Sequence, residues 1–423
     1  MLWQIADPLH LLGAVRISLA RGGEFLVGRI APCGPILQER NVSYVYKAAW
    51  GMYAAGVDHA TIARLLDWLG QHALRENGDF YFPEEPPEYK DLQRVYRALT
   101  FGKVAVWIGH PLVRQPRVLD RILQYQHRSG GALAYLGDDP HQPQPPATLG
   151  SLNTTFFGQL MIALDLREQA IAAGEWVRRW IEANRPHLAE GRLYTCVTPE
   201  GELVTEVAPG EEIVKILDNR RPKQEFWHVG TSMAYLAALY DTMRRRWNCP
   251  EEQSRPYLDA ALTLLDFEAT MPLDTYLWPS KCKVGWGAGE LLRVLVEHGL
   301  ADDATHRRAY CVAERVAMFT FMDNQLGTGG WPCMHYPLDA RAAEVDFSYK
   351  PLQGTLRVPP EPIAGSRTIY LPGEEITGEF LGEMKAIEQG VAAWVGGEGR
   401  GARGRPRSGG ACPALGRANH GAR

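Results

Sequence analysis

No stretch of this sequence approaches the ~18 consecutive apolar residues of a membrane-spanning helix, so no membrane span is expected. The cysteines supply no C-x-x-C pair, and their count is odd: Cys33, Cys196, Cys249, Cys282, Cys311, Cys333 and Cys412. That pattern fits reduced thiols in a cytoplasmic protein better than a disulfide framework or a zinc module. The opening residues Met1-Leu-Trp-Gln-Ile-Ala-Asp7 contain no basic residue, and Asp7, His10 and Arg16 break the apolar character that follows. No secretory signal is read there. The charge is also unevenly spread along the chain. The net charge is -4, and the segment from Gly396 to Arg423 holds six Arg against one Glu, so -4 minus +5 leaves -9 for the rest. An acidic body of this kind does not point to a nucleic-acid partner.

What the chain does contain is apolar content and repetition. It is 45% hydrophobic and 22% charged, enough for a large core. A phrase of Gln, glycines and an aromatic recurs after helical stretches. Its fullest form is Gln325-Leu-Gly-Thr-Gly-Gly-Trp331. Weaker forms are Gln124-Tyr-Gln-His-Arg-Ser-Gly-Gly-Ala-Leu-Ala-Tyr135, Gln71-His-Ala-Leu-Arg-Glu-Asn-Gly-Asp-Phe80 and Arg185-Pro-His-Leu-Ala-Glu-Gly-Arg-Leu-Tyr194. Recurrence at the ends of successive helices signals a repeat architecture.

The periodicity predicts five helical pairs: Tyr44 to Ala54 with Ala60 to Leu74, Leu92 to Ile108 with Val118 to Gln126, Leu152 to Leu166 with Glu168 to Glu182, Trp227 to Arg245 with Ser254 to Phe267, and Val284 to Gly299 with Asp303 to Asp323. Asp58 is placed to cap the second helix. Leu203-Val-Thr-Glu-Val alternates and predicts a short strand. A helix from about Leu9 is expected to end at Gly22-Gly23-Glu24-Phe25, another copy of the turn phrase. A last helix, Ile376 to Trp394, has no partner after it, and the first has none before it. Pairing these two gives six hairpins closing into a ring. The expected fold is all-α, an (α/α)6 toroid over residues 1–395. Residues 396–423 form a Gly/Arg-rich tail too poor in apolar residues to order itself.

Gln325-Leu-Gly-Thr-Gly-Gly-Trp331 resembles the QW-type motif of squalene and hopene cyclases. The Gly-Gly-aromatic turns are similar to those of the wider α/α-toroid superfamily, which includes protein prenyltransferase β-subunits. The (α/α)6-barrel sugar epimerases, glycosidases and polysaccharide lyases share the ring plan. The resemblance implies a braced ring, since these motifs hold helices together rather than do chemistry. It carries over no catalytic set. The DxDD acid of class II cyclases is missing, with only Asp138-Asp139 and Asp302-Asp303 as acidic pairs. The zinc ligands of prenyltransferases and lanthionine cyclases are not apparent, so neither metal nor cofactor is expected.

In such a ring the site lies on the axis, walled by the first turns of one helix per pair. Those segments are rich in small residues and include Tyr44, Tyr96, Asn153, His228, Lys283 and Thr377. Three clusters carry chemistry. Glu225-Phe-Trp227-His228 offers a histidine, the side chain that titrates near neutrality, with a carboxylate nearby and Tyr235 two turns on. Trp278-Pro-Ser-Lys281-Cys-Lys283-Val-Gly-Trp286 sets two lysines among indoles, suited to an anionic substrate or a lowered-pKa base. Asp346-Phe-Ser-Tyr349-Lys350 lies in a Pro- and Gly-rich loop, and Glu379 and Glu383, four apart, share a helix face. Asp138 and Asp139 could hold a divalent ion with a diphosphate. The expected acid/base set is His228 with Glu225, opposed by Asp346 or Glu379. The expected substrate wall is Tyr44, Tyr96, Asn153, Trp227, Tyr235, Lys281, Lys283, Trp286, Trp331 and Tyr349. Three functions fit. One is a cofactor-independent cyclase or isomerase of a hydrophobic, terpenoid- or polyketide-derived small molecule. Another is a carbohydrate-active enzyme (epimerase, hydrolase or lyase), and the third is a non-catalytic binding toroid. Several carboxylates around a histidine would favour the second, and a mostly aromatic wall with one acid the first.

Overall fold

The computed structural model describes residues 7–31, 34–35, 42, 45–84, 94–140, 146–332, 334–337, 368–371 and 373–401. Thirteen α-helices lie in these residues. They are α1 (Pro8–Gly28), α2 (Ala48–Ala54), α3 (His59–His72), α4 (Arg94–Trp107), α5 (Pro116–Gln124), α6 (Ser151–Leu164) and α7 (Arg167–Ala189). Then follow the single turn α8 (Glu212–Lys215), α9 (Trp227–Arg245), α10 (Glu251–Ala269), α11 (Cys282–Glu297), α12 (Asp303–Arg315) and α13 (Gly373–Gly401).

Six of them form an inner ring. α2 packs on α4, α4 on α6, α6 on α9, α9 on α11, α11 on α13, and α13 returns to α2. Each has an outer partner, and the sixth hairpin joins α13 to α1. The (α/α)6 toroid is therefore complete, with the earliest helix closing the ring against the last. Sequence explains which helix goes where. A helix buried on every side belongs inside and an amphipathic one outside. All eight residues from Ser151 to Gly158 of α6 are buried, as are all eight from Cys282 to Gly289 of α11. The outer α3 buries one stripe, Thr61, Ile62, Leu65, Leu66 and Leu69. Asp58 caps α3, its carboxylate accepting from the Thr61 N–H at 2.9 Å.

Glycine sets the tightness of the inner ring. A Cβ on Gly378 would lie 2.5 Å from the Lys47 backbone, and one on Gly230 would lie 2.0 Å from that of Lys283. Both are far inside van der Waals contact, so only glycine permits these approaches.

The Gln–Gly–aromatic phrase is a clasp on the next outer helix. Gln325 Nε2 donates to Ser18 O at 2.9 Å and to Gly329 O at 2.7 Å, while Ser18 Oγ donates to Gln325 Oε1 at 2.8 Å. Gly329, at φ +91°, has its Cβ site 2.3 Å from Arg21 O, and Gly330 faces the Phe25 ring. The second copy repeats this on α7. Gln126 Nε2 donates to Gln169 O at 3.0 Å. Gly130, at φ +95°, sits against Ala172 O, and Gly131 against Trp176. The motif at 325–331 grips α1, so it locks the seam of the ring.

Several expectations are corrected. α1 runs straight through Gly22-Gly23 to Gly28. These glycines are packing surfaces, facing Leu381 and Ala55, and Phe25 is what the true turn at Gly330 rests on. Leu203 makes a single bridge to Val197 rather than a strand of a hairpin. The short strands are Arg192–Tyr194 with Ile216–Asp218, and Leu149–Gly150 with Cys196–Val197. The helix expected from Asp303 to Asp323 leaves α-geometry at Val316, where a π-helical turn runs to Phe321. The Phe321 carbonyl there accepts from Trp331 Nε1 at 3.0 Å. Cys196, Cys249 and Cys282 are free thiols, whereas Cys311 is disulfide-bonded. α13 extends to Gly401, past the composition change at Gly396. Among the described residues, no helix is long and apolar enough to cross a membrane.

Candidate active site

Residues from non-adjacent inner helices meet on the ring axis in two layers. The lower layer is aromatic. Trp50 of α2 meets Trp286 of α11 with ring centroids 5.0 Å apart, and Phe156 of α6 lies 5.4 Å from Trp286. Lys103 of α4 points into this collar, its Nζ 4.6 Å from the Trp50 ring, 4.3 Å from Phe156 and 4.8 Å from Trp286. It donates to Gln159 Oε1 at 2.7 Å. Burial draws its pKa down to about 7, and the negative potential of Glu383 works the other way.

One helical turn toward the N-termini lies a polar layer. Helix spacing places it there: Lys47, Asn153 and Lys283 each precede a collar residue by three. α13 contributes Glu375, Glu379 and Glu383 at intervals of four, hence on one face. Lys47 Nζ reaches Glu379 Oε2 at 2.8 Å and Glu375 Oε1 at 2.9 Å. Tyr46 OH donates to Glu375 Oε1 at 2.7 Å. Lys283 pairs with the other oxygen of Glu379 and stands 3.6 Å from Glu383 Oε1. The close glycine contacts create this geometry, since Gly378 holds the Lys47 backbone and Gly230 holds that of Lys283.

The two neighbouring carboxyls titrate apart. Burial would raise Glu379, but the Lys283 and Lys47 ammonium groups overcome it and hold Glu379 down at about 2. Glu383 is wholly buried, with the Lys283 ammonium 3.6 Å from Oε1 and the Cys282 thiol beside it. Burial first, then the Glu379 charge, push it up to about 8, opposed by Lys283. One carboxyl is fixed as an anion and the next is a neutral acid at pH 7. Cys282 Sγ and one oxygen each of Glu379 and Glu383 lie within 4.8 Å of one another, close enough to share a metal ion. Two ammonium groups already neutralise Glu379, which disfavours a further cation at that place.

The facing wall comes from α4, α6 and α9. His228 Nδ1 is 2.8 Å from Ser151 Oγ, and its Nε2 has no partner among the described residues. Burial, aided by the Lys283 charge, draws His228 down to about 3, so the ring is neutral at physiological pH. Tyr96 OH and Asn153 Oδ1 are likewise buried without a partner among the described residues. The Tyr96 ring sits 5.5 Å from Lys47 Nζ and 4.7 Å from Phe156.

The structure thus gathers Tyr96, Asn153, His228, Lys283 and Glu379 on the axis, with Trp286 in the collar below and half-buried Trp227 5.9 Å from Lys283 Nζ. Three other residues of the expected site stand apart. Lys281 is fully buried behind the wall, paired with Glu268 of outer helix α10 and 3.8 Å from the Phe226 ring. Tyr235 donates to Ala170 O and fills the space left by Gly158. Trp331 belongs to the clasp. Glu225, three residues before His228, is fully buried, and the hydrogen-bond partner of His228 Nδ1 is Ser151 Oγ at 2.8 Å. Tyr44, Asp346 and Tyr349 lie outside the described residues. Asp138 and Asp139 are held by Arg121 at 2.7 Å and Arg94 at 2.8 Å, so their charges are already matched. Sequence reasoning passed over Lys47, Glu375 and Lys103 as functional groups. Lys103 had a readable signal, a single charge inside the apolar run Leu99-Thr-Phe-Gly-Lys-Val-Ala-Val-Trp107.

No known protein-family profile matches the chain, and no curated protein matches it. Solved structures do. A GH76 α-mannanase from Bacteroides thetaiotaomicron superposes with a TM-score of 0.52 at 9% identity, covering 90% of this chain and 98% of its own. A variant of the type II terpene cyclase MstE from Scytonema gives 0.46 at 11% identity, covering 91% and 99%. The GH76A α-1,6-mannanase from Salegentibacter gives 0.44 at 12% identity, covering 88% and 99%. The mannanase likeness supports the α/α-toroid fold.

Proposed function

We propose that this toroid is an acid/base enzyme acting on a polar, hydroxyl-bearing small molecule of the carbohydrate class. The observation that carries this reading is the set of buried polar atoms with no hydrogen-bond partner among the described residues: Tyr96 OH, Asn153 Oδ1 and His228 Nε2. Leaving one such group unsatisfied costs about 1–3 kcal/mol. Three such atoms, from α4, α6 and α9, are best explained by a ligand that hydrogen-bonds to them. A site built to pair with hydroxyls also rejects analogues that lack them. Neutral His228 would act as a hydrogen-bonding group on the substrate, and the ionised Glu379 with its two lysines would fix the field around it.

The second reading, a cyclase or isomerase of a hydrophobic substrate, draws support from the aromatic collar, whose ring faces suit a cationic intermediate. Lys103 already occupies those faces, which is why we rank it second. Thermal denaturation against two panels separates the readings. One panel holds neutral and acidic mono- and oligosaccharides, the other isoprenoid alcohols and polycyclic lipids. We expect a sugar to raise Tm by mass action, and both His228→Ala and Asn153→Ala to abolish the rise. Stabilisation by the lipids alone would overturn the proposal in favour of the second reading, and stabilisation by neither would leave a structural toroid.

A further inference from the structure

A neutral imidazole has one proton for two nitrogens, and the partner of His228 decides which nitrogen holds it. A carboxylate at Nδ1, the role expected of Glu225, can only accept. It would keep the proton on Nδ1 and leave Nε2 a bare base. The partner found is a hydroxyl, Ser151 Oγ at 2.8 Å, and both side chains are buried. A hydroxyl has a proton of its own to place. On the inner helices that proton usually goes to the preceding turn. Thr154 Oγ1 donates to Gly150 O at 3.0 Å, Thr155 Oγ1 to Leu152 O at 3.0 Å and Thr231 Oγ1 to Trp227 O at 2.9 Å. Ser151 is the first residue of α6, directly after Gly150 at the N-cap, so no helical turn precedes it. Among the described residues, its hydroxyl has His228 Nδ1 as its hydrogen-bond partner and no backbone carbonyl.

If Nδ1 kept the proton, Ser151 Oγ would accept it, and the Ser151 O–H would be left buried without an acceptor. An unsatisfied buried donor is costly. If Ser151 donates instead, both groups are satisfied and the ring proton sits on Nε2. We infer that Ser151 is a positioning residue that holds His228 in its Nε2–H form, so that His228 offers the substrate a hydrogen-bond donor and not a base. Nε2 is the ring atom that is buried with no partner among the described residues, so its N–H is available to an acceptor oxygen of the substrate. The Lys283 charge bears on His228 and on Tyr96 alike. This wall therefore favours an oxygen on which negative charge builds, such as a carbonyl oxygen. A neutral imidazole in that place polarises the oxygen without giving up its proton. The exchange of a carboxylate for a hydroxyl at Nδ1 thus reverses the role that the sequence suggested for His228.

This inference rests on the reading of His228 as a substrate-facing group, but its test needs no substrate. Long-range ¹H–¹⁵N correlation spectra of the full-length protein labelled with ¹⁵N-histidine are recorded at pH 7. The His228 signals are identified by their loss in His228→Gln. We expect Nε2 to carry the proton and Nδ1 to show the shift of an imine nitrogen that accepts a hydrogen bond. In Ser151→Ala the Nδ1 signal should move to that of an unbonded imine nitrogen. In Ser151→Thr, which keeps the hydroxyl, it should stay in place. A proton on Nδ1 in the wild type overturns the donor role. An Nδ1 signal that ignores Ser151→Ala overturns the positioning role. Covalent labelling of Ser151 by a fluorophosphonate, read by peptide mass spectrometry, also overturns it, because Ser151 would then be a nucleophile. Circular dichroism confirms that each variant is folded. If Ser151→Ala is not, Ser151→Cys serves, since a thiol is a weaker donor and should move the Nδ1 signal part of the way. Failure of the sugar panel with the Nε2–H form present would count against the substrate class and leave the donor in place.

Discussion

Four buried lysines show how much a single neighbour decides. Lys47 and Lys283 touch carboxylates, and those charges outweigh burial and raise both ammonium pKa values. Lys281 faces Glu268 and still falls to about 8. Lys103 has an amide and aromatic faces, and falls to about 7. Its effect on stability has a definite sign. Between about pH 7 and the unfolded value of 10.5, the unfolded chain binds a proton at residue 103 that the folded chain releases. The Lys103 contribution therefore becomes more favourable as pH rises through that window, by at most about 1.4 kcal/mol per pH unit. Lys103→Met lacks this slope. Relative to wild type it should be most stable at pH 7 and lose that advantage by pH 9, as read by urea denaturation at the two values. A difference independent of pH would mean that Lys103 stays charged inside the collar throughout.

At the scale of elements, the clasp between residues 325–331 and α1 is the feature the sequence announced most clearly, because its glycines are needed for backbone reasons. Gln325 makes three hydrogen bonds, each worth about 0.5–1.5 kcal/mol net. Gln325→Ala should therefore cost roughly 2–4 kcal/mol in chemical denaturation. Gly329→Ala should cost at least as much, since φ is +91° and the added Cβ meets Arg21 O at 2.3 Å. Gly327→Ala, with nothing within 4 Å, is the control and should be near neutral. Equal losses at 327 and 329 would remove the geometric argument. The same reasoning shows what was legible in the chain. Helix pairs were readable from apolar spacing, and the clasps from Gln and Gly. Gly22-Gly23 misled because a glycine pair written for close packing looks the same as one written for a turn; only the neighbours Leu381 and Ala55, hundreds and tens of residues away, distinguish them. In the site, Glu379 and Lys283 were legible as charges near helix starts. Lys281, two residues from Lys283, was not separable from it without knowing that Glu268 waits behind the wall. Lys47 was hidden because its partners, Glu375 and Glu379, lie more than three hundred residues downstream.

For the whole molecule, that separation makes ring closure a condition of the site. In an open array of repeats each unit leans only on its neighbours, and loosening one interface leaves distant ones intact. Here α13 supplies the three glutamates, α2 follows directly after Lys47, and the two helices meet at the seam that α1 and the 325–331 clasp hold shut. Gly378 is the closest backbone approach across that seam, its Cβ site 2.5 Å from the Lys47 carbonyl group. Gly378→Ala should force α2 and α13 apart and cost about 1–3 kcal/mol, as overpacking does. Gly174→Ala is similarly crowded, at 2.3 Å, but against the tip of the Leu239 side chain at the outer ring. It should lose less stability because that tip can move. Hydrogen exchange by mass spectrometry distinguishes a local from a seam-wide effect. In Gly378→Ala, peptides from 48–54 and 373–390 should lose protection together, because Lys47, Glu375 and Glu379 separate as one unit. In Gly174→Ala the same peptides should exchange as in wild type. If 48–54 alone became labile while 373–390 stayed protected, the ion pairs would not couple the two sides, and the site would be a property of α13 rather than of the closed ring.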